Sequence, residues 1–238
     1  MINMADSPHT HFCQLPEKYD IDLELLREGL ESVNALEQVK LYPMDQHPSI
    51  GRIRRVTGMA GENNAAPTHF KGYSGICFKS EKGMENDLYQ GLSSNVTGTN
   101  SKKALEVGID STFTEPNNIW FPYLAEIESK FKGQVTQMRL INLHARHNLG
   151  RKMHTDYPWY KGLRLHIPLT DDLVYKWRVR NEYYEVNGAN GHMYYLNTGV
   201  PHTAINDHSD KDRLVFNVNM IPHTLEISID DQIEQEIL

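Results

Sequence analysis

Three residues have the types and the spacing of a metal site. His154 and Asp156 form an H-x-D pair, and His202 follows the aspartate by 46 residues. Two imidazoles and one carboxylate on one face of a metal ion leave the opposite face open, as non-haem Fe(II) oxygenases require for a co-substrate and O2. We therefore predict a mononuclear iron site with these three residues as its ligands.

Two predicted strands carry their polar side chains on one side. Residues two apart on a strand project to the same side, and Arg164 and His166 share a side of GLRLHIPL that its aliphatic residues avoid. In RLVFNVNM, Arg213 shares a side with Asn217 and Asn219, and the opposite side is wholly apolar. We expect the polar sides of these strands to line a cavity in a barrel, with the third metal ligand at its mouth.

The elements that would position these residues are mainly strands. After residue 134, short runs rich in β-branched and aromatic residues are separated by clusters of Gly, Pro, Asn and Asp, which favours a sandwich or a barrel. The predicted strands are QVTQMRLINL, GLRLHIPL, LVYKWRVR, YYEV, HMYYLN, RLVFNVNM and TLEISI. We predict a mainly β fold with flanking helices.

The N-terminal part of the chain is predicted to contain helices, one strand and a lid. Apolar positions near a helical period predict an amphipathic helix over 20–40, with Gly29 as a weak point, and a second helix from Asn118 that Gly133 ends. SIGRIRRVTG has the pattern of a strand. Residues 80–118 are too polar for a core, and we expect them to form a lid that excludes water from the cavity.

Composition and charge restrict the class of protein. A chain of 238 residues predicts one domain, with 1–133 as its N-terminal region and 134–229 as its β core. The net charge of −7 and the lack of a basic tract argue against a nucleic-acid partner. Only two cysteines are present, which argues against a disulfide framework. Neither a membrane span nor a secretory signal is visible in the sequence, so we expect a cytoplasmic protein that acts on a small molecule.

Four blocks of sequence resemble a known family. The blocks are LGRKMHTD, RLHIPL, YYLNTGVPHTAIND and DRLVFNVN, which lie in the same order and at similar spacing within about residues 134 to 222. They resemble the aspartyl/asparaginyl β-hydroxylase-like branch of the Fe(II)/2-oxoglutarate-dependent dioxygenases, which also contains free amino-acid hydroxylases such as proline cis-4-hydroxylases. The resemblance implies a double-stranded β-helix, that is, a cupin-like jelly roll, with Fe(II) on the three ligands named above and with 2-oxoglutarate and O2 as co-substrates.

The same resemblance assigns residues to 2-oxoglutarate. Arg213 is similar in position to the arginine that pairs with the distal carboxylate, and Arg164 and His166 are similar to the pair near the other carboxylate. Physical chemistry agrees with these roles, because a guanidinium can meet a carboxylate with two parallel charge-assisted hydrogen bonds. The implied products are succinate, CO2 and an oxidised substrate, and no catalytic residue beyond the metal ligands is predicted.

The aspartate of the metal pair bears on the type of reaction. Related amino-acid halogenases resemble this pattern but carry a small residue, typically glycine, where Asp156 stands. We therefore predict hydroxylation of a C–H bond, or a related oxidation such as desaturation, and not chlorination. The substrate expected from the resemblance is a free amino acid or a derivative. A peptide or protein side-chain hydroxylase of the same family and a cupin-like metalloenzyme that does not use 2-oxoglutarate are the alternatives.

Substrate binding is predicted from polar residues around the expected pocket. An amino acid needs a partner for its carboxylate, and the N-terminal strand offers three arginines. Two asparagines share a side with the co-substrate arginine, and one tyrosine follows the metal pair directly. The candidate substrate-binding residues are Arg52, Arg54, Arg55, Tyr157, Asn217 and Asn219.

Overall fold

The computed structural model describes most of the β core and parts of the N-terminal region. The described residues are 11–43, 72–88, 113–132, 134–145, 153, 155, 162–208 and 210–221. The predicted strands SIGRIRRVTG and TLEISI lie outside them, as do six of the predicted site residues, which are Arg52, Arg54, Arg55, His154, Asp156 and Tyr157.

The larger of two facing sheets has six strands among the described residues, and all of them are antiparallel to their neighbours. The strands are β1 (Phe12–Gln14), β2 (Tyr73–Cys77), β5 (Gln134–Leu143), β6 (Leu163–Pro168), β9 (Tyr194–Leu196) and β11 (Arg213–Ile221). Their order across the sheet is β1-β9-β6-β11-β5-β2. The pairing of β11 with β5 shifts by one residue between Asn219 and Met220.

The smaller sheet has three strands in the order β10-β7-β8. These are β7 (Val174–Val179), β8 (Glu182–Asn187) and β10 (His202–Ile205). From β5 onward the chain passes from the larger sheet to the smaller one and back twice, and buried side chains of both sheets, including Trp177 and Val215, meet in one apolar cluster. Two antiparallel sheets connected and packed in this way form a jelly roll, and the predicted fold class is confirmed.

In the described part of the N-terminal region, three short α-helices precede the β core. They are α1 (Leu23–Ser32), α2 (Ala35–Gln38) and α3 (Pro122–Ser129). The side chain of Asp22 caps α1 by accepting hydrogen bonds from the backbone N–H groups of Glu24 and Leu25. The single helix predicted over 20–40 is wrong, because Asn34 adopts a left-handed conformation with φ 54° and separates α1 from α2. Among the described residues, no helix has the length and apolar character needed to cross a membrane.

Close helix packing explains the glycine in α1. The ring of Phe121, just before α3, lies against Gly29, and a β-carbon at this position would overlap that ring. Gly29 is therefore a packing position inside a continuous helix and not the weak point that the sequence predicted. Together with the face of the larger sheet beneath them, the helices enclose the main core. Its members include Leu26, Leu30, Leu124, Ile127, Leu140, Leu165, Phe216 and Val218.

The two ends of the predicted lid belong to the folded body. Strand β3 (Lys79–Ser80) pairs with β4 (Glu115–Pro116). Phe113 is fully buried and Leu88 nearly so, and the buried amide of Asn117 donates to the carbonyl oxygen of Cys77. The prediction that residues 80–118 are too polar for the core is therefore wrong at both ends, because a few apolar side chains suffice to anchor them. Residues 89–112 lie outside the described part of the chain.

Candidate active site

The larger sheet has a polar face that looks toward the smaller sheet. Directly opposed residues of neighbouring strands project to the same face. In one row across β5, β11 and β6, Arg139 opposes Asn217, which opposes His166. In the next row, Asn219 lies between Gln137 and Arg164. Three strands thus bring two arginines, one histidine and three amides onto one surface, beside the apolar cluster that joins the sheets.

His202 lies on the smaller sheet, at the start of β10. It opposes Val179, whose buried side chain belongs to the cluster between the sheets, so the imidazole lies on the inner face. The ring is 3% exposed, and its Nδ1 lies 2.9 Å from the carbonyl oxygen of Val200. Because a carbonyl oxygen only accepts, Nδ1 carries the proton in this hydrogen bond, and Nε2 is the nitrogen that can act as a ligand. A histidine fixed in this tautomer is suited to ligate a metal through Nε2.

The other two predicted metal ligands lie on the connection between β5 and β6. Both His154 and Asp156 are outside the described residues. Within the described ranges no group of three His, Cys, Asp or Glu side chains could hold a metal. The three-residue iron site therefore stays a prediction, with His202 as its described member.

Hydrogen bonds fix the point at which the chain leaves β5 toward the metal pair. The side-chain amide of Asn206, just after β10, donates to the carbonyl oxygens of Leu143 and Lys211, at 2.9 Å each. The carboxylate of Asp212 accepts from the backbone N–H of Ala145 at 3.0 Å and from Asn142 at 2.9 Å. The end of β5 is thus tied to the end of β10 and to the start of β11.

Arg213 is a buried cation at the start of β11. Its guanidinium carbon lies 4.6 Å from the ring centre of Trp177 and 5.0 Å from that of Tyr175. Burial lowers the pKa of Arg213 to about 10, so the group is still charged at neutral pH. Among the described residues, Nε and Nη2 have no hydrogen-bond partner. Buried charges in proteins are normally paired, so these two nitrogens can donate to a bound acceptor.

The backbone around Arg213 is held by two side chains. The hydroxyl of Thr170 donates to the carbonyl oxygen of Asp212 at 2.9 Å and accepts from the N–H of Leu214 at 3.0 Å. The hydroxyl of Tyr175 donates to the carbonyl oxygen of Leu214 at 2.5 Å. Because Tyr175 also places its ring beside the guanidinium, it fixes both the backbone and the side chain of this arginine.

His166 is a buried, neutral imidazole. Burial lowers its pKa well below the usual value for histidine, and the positive charges of Arg164, Arg213 and Arg139 lower it further. Its ring meets that of Trp177 edge to face at 5.7 Å between centroids. Neither ring nitrogen has a hydrogen-bond partner within the described part of the protein. The positive charges of the surrounding arginines make this end of the polar face electropositive.

Five predicted residues lie together on the larger sheet, namely Arg164, His166, Arg213, Asn217 and Asn219, and His202 lies on the inner face of the smaller sheet. Sequence reasoning missed Arg139 and Gln137, which share one side of QVTQMRLINL. It also treated Trp177 only as packing, although the ring contacts both Arg213 and His166.

The polar groups of this face fit a bound dicarboxylate. The Oδ1 atom of Asn217 joins the N–H groups of Arg213 and the ring nitrogens of His166 as buried polar atoms that lack a described partner. Such atoms are uncommon in folded proteins and are typical of functional sites. A buried arginine beside imidazoles and amides provides donors for carboxylates and nitrogen ligands for a metal, which are the groups that the sequence predicts here.

A surface cavity of about 310 Å³ lies at a different place. Among its lining residues are Tyr42, Asp87 and Leu88. It contains one carboxylate and neither histidine nor arginine, so it lacks the donors that a metal or a dicarboxylate requires. The polar face is therefore the candidate active site.

Comparisons with known proteins return distant structural matches. No family model matches the sequence, and no curated protein does. Salicylate 1,2-dioxygenase from Pseudaminobacter salicylatoxidans aligns at 10% identity with a TM-score of 0.26, covering 35% of this chain and 20% of that enzyme. A predicted oxalate decarboxylase from Thermotoga maritima aligns at 10% identity with a TM-score of 0.29, covering 42% of this chain and 74% of that one. The plu4264 protein from Photorhabdus luminescens gives 12% identity, a TM-score of 0.29, and coverage of 42% and 72%. These values assign the chain to no family.

Proposed function

We propose that this protein is a non-haem Fe(II)/2-oxoglutarate-dependent oxygenase that hydroxylates a C–H bond of a small substrate, with a free amino acid or a derivative as the substrate class. The observation that carries the proposal is Arg213, a buried guanidinium whose Nε and Nη2 have no hydrogen-bond partner among the described residues. It lies on the inner side of a jelly roll whose other sheet carries a histidine in a metal-binding tautomer.

The metal in this proposal is held by His154, Asp156 and His202. The described member of the set supports the assignment, because the hydrogen bond from Nδ1 to the Val200 carbonyl oxygen orients the ring and leaves Nε2 as the ligand atom. A bound ferrous ion, with 2-oxoglutarate and O2, supplies the oxidation that puts one oxygen atom into the substrate and one into succinate, with loss of CO2.

The protein's own part is to bind and to orient. Arg213 pairs with the distal carboxylate of 2-oxoglutarate, and Trp177 and Tyr175 hold the guanidinium for that pairing. His166, kept neutral by burial and by the arginines around it, donates a hydrogen bond toward the other carboxylate, assisted by Arg164. The same burial excludes water and strengthens these electrostatic contacts.

The alternatives differ in what they require of this face. A cupin-like metalloenzyme that does not use 2-oxoglutarate would retain the metal ligands but has no role for a buried, dicarboxylate-binding arginine. A peptide or protein side-chain hydroxylase would use the same co-substrate, and it differs from the favoured function only in the size of the substrate. The polar groups of the face therefore favour an enzyme that uses 2-oxoglutarate over one that does not. The substrate is identified by experiment.

The direct test is succinate formation by the Fe(II)-loaded protein with 2-oxoglutarate and O2 across the free amino acids. We expect one of them to stimulate succinate formation and to gain one oxygen atom by mass spectrometry. Asp156→Gly should abolish this oxygen insertion, since it removes a metal ligand. Failure of every amino acid, with stimulation by a peptide instead, would favour the peptide hydroxylase. A protein that forms no succinate with any substrate and does not bind 2-oxoglutarate would contradict the proposal.

A further inference from the structure

The smaller sheet carries a buried N–H group on its inner face. Along β7, the buried side chains of Tyr175, Trp177 and Val179 alternate with exposed or half-buried ones and join the cluster between the two sheets. Trp177 is fully buried, and its indole Nε1 has no hydrogen-bond partner among the described residues. Buried tryptophans usually place this N–H on an acceptor, because an unmade hydrogen bond in the interior is costly.

The groups that contact the Trp177 ring do not accept its N–H. The rings of Phe12 and Tyr175 lie 5.2 Å and 6.0 Å from it between centroids. Phe12 has no polar side-chain atom, and the Tyr175 hydroxyl is already engaged in three hydrogen bonds with backbone groups. The ring also contacts the Arg213 guanidinium, which can only donate, and the His166 imidazole, neither of whose nitrogens has a described partner. The indole N–H can therefore serve a bound ligand.

Trp177 and Arg213 place donors of two sheets close together. The guanidinium carbon of Arg213 lies 4.6 Å from the centre of the Trp177 ring. Nε and Nη2 of Arg213, which lack a described partner, lie on one edge of the guanidinium and can meet a carboxylate with two hydrogen bonds. A carboxylate has about four lone-pair sites on its two oxygens, so further donors can be accommodated. A neutral N–H supplies one without adding a second buried charge, which would cost desolvation.

We infer that the indole N–H of Trp177 donates a hydrogen bond to the carboxylate that Arg213 binds, as a further donor for the distal end of 2-oxoglutarate. The inference rests on the proposed function and extends it, because the smaller sheet then contributes a co-substrate-binding residue as well as a metal-binding one. Since hydrogen bonds to a charged acceptor contribute more than neutral ones, the loss of this N–H should weaken co-substrate binding measurably.

The first test is calorimetric titration of 2-oxoglutarate into the intact, Fe(II)-loaded protein in the absence of O2. Trp177→Phe keeps an aromatic ring beside Arg213 and removes the N–H donor. Trp120→Phe is the matched control, because Trp120 packs against the main core and contacts Lys79. We expect Trp177→Phe to bind 2-oxoglutarate about 10- to 100-fold more weakly than wild type, and Trp120→Phe to bind it within about twofold. A folded Trp177→Phe protein that binds like the control would overturn the inference.

A second readout observes the N–H group itself in the wild-type protein, and it decides the question if Trp177→Phe does not fold. The chain has three tryptophans, whose indole N–H signals are assigned by through-bond proton–nitrogen NMR. With diamagnetic Zn(II) in place of Fe(II), 2-oxoglutarate should move the Trp177 indole proton downfield, as a new hydrogen bond to a carboxylate does, and leave that of Trp120 in place.

The two titrations separate the possible failures. A Trp177 indole signal that does not move downfield while 2-oxoglutarate binds would overturn the inference, even if Trp177→Phe binds weakly, because the ring would then act by packing alone. Absence of 2-oxoglutarate binding by wild type would instead overturn the proposed function itself.

Discussion

The two faces of the larger sheet are built from alternate residues of the same strands, and they meet different surroundings. Along β11, Phe216 and Val218 pack into the core under the helices, whereas Arg213, Asn217 and Asn219 face the smaller sheet. The first set stabilises the fold, because its burial removes apolar area from water. The second set leaves buried polar atoms without a described partner at Arg213 and Asn217. Alternate side chains of this one strand therefore contribute to the core on one face and present buried polar groups on the other.

Two buried cations show the same contrast. Lys79 is nearly as buried as Arg213, but its ammonium group lies 2.5 Å from a carboxylate oxygen of Glu128 and 3.0 Å from the carbonyl oxygen of Val135. The lysine therefore joins α3 to the sheet as a structural ion pair. Arg213 lies beside two stacked aromatic rings, and its Nε and Nη2 donate to no described residue. Of the two cations, the one without a described partner is the better candidate for binding a ligand.

The largest effect on stability is expected on the helix-facing side. Phe216→Ala removes a fully buried ring that packs against Phe78 at 5.6 Å between centroids. We expect the free energy of unfolding to fall by about 3–5 kcal/mol. Denaturant unfolding measures it. If the protein is too unstable to purify, Val218→Ala provides a smaller truncation in the same core. Loss of less than about 1 kcal/mol in both variants would contradict the assignment of this face to the core.

On the opposite face of the same strand, substitution should change binding and spare the fold. Burial lowers the pKa of Arg213 to about 10. Arg213→Met removes this buried charge, so the folded state of the variant no longer contains a desolvated cation. We expect unfolding free energy to be unchanged or increased, by up to about 4 kcal/mol. Binding of 2-oxoglutarate to the metal-loaded protein should weaken by about 30- to 150-fold. A destabilised variant that still binds 2-oxoglutarate normally would reverse the comparison.

Substitution of the ion-paired Lys79 should have the opposite effects on stability and on co-substrate binding. Lys79→Met leaves the Glu128 carboxylate, whose side chain is 36% exposed, without its ammonium partner. We expect a loss of about 1–2 kcal/mol in unfolding free energy, since solvent reduces the cost at the exposed end. The affinity for 2-oxoglutarate should not change. Weakened co-substrate binding in this variant, measured in the same titration as for Arg213→Met, would show that the two cations are not functionally distinct.

The smallest effect concerns the histidine of the polar face. Because the folded state keeps the pKa of His166 well below its usual value, the unfolded chain takes up a proton first as the pH falls below about 6.5. Wild-type stability should then decrease toward acid by up to about 1.4 kcal/mol per pH unit from this residue. His166→Gln should show a shallower slope between pH 6.5 and 5, measured on the metal-free protein. Equal slopes would mean that His166 titrates normally in the folded state.

Alternation made the polar face predictable from the sequence. The side shared by Arg164 and His166, and that shared by Arg213, Asn217 and Asn219, follows from the period of two in a strand. Alternation does not mark a polar side in QVTQMRLINL, because the side with Gln137 and Arg139 also contains Val135, Ile141 and Leu143. What no local pattern could give is the register, since the opposition of Arg139, Asn217 and His166 depends on pairing between segments far apart in the chain.

The elements that the sequence missed have short or interrupted patterns. Strand β1 has three residues, and β10 follows directly on a Gly-Val-Pro turn, so neither offers a run long enough to predict. The split of the first helix was also hidden, because Asn34 interrupts an otherwise helical pattern through its own backbone conformation. Tyr175 has a role that only the tertiary structure reveals. Its hydroxyl forms hydrogen bonds with the backbone of Leu169 and Thr170, across a turn, and with that of Leu214, which is remote in sequence.

The most direct test of the account is a calorimetric titration of 2-oxoglutarate into the wild-type protein, with and without Fe(II), in the absence of O2. We predict binding of one equivalent, tighter in the presence of the metal, and loss of the metal-dependent part in His202→Ala, because this residue is the described member of the proposed ligand set. Succinic acid, which retains a distal carboxylate but lacks the keto group, should bind more weakly. Absence of binding, or binding equal with and without metal and unchanged in His202→Ala, would contradict the central claim that the polar face is an Fe(II)/2-oxoglutarate site.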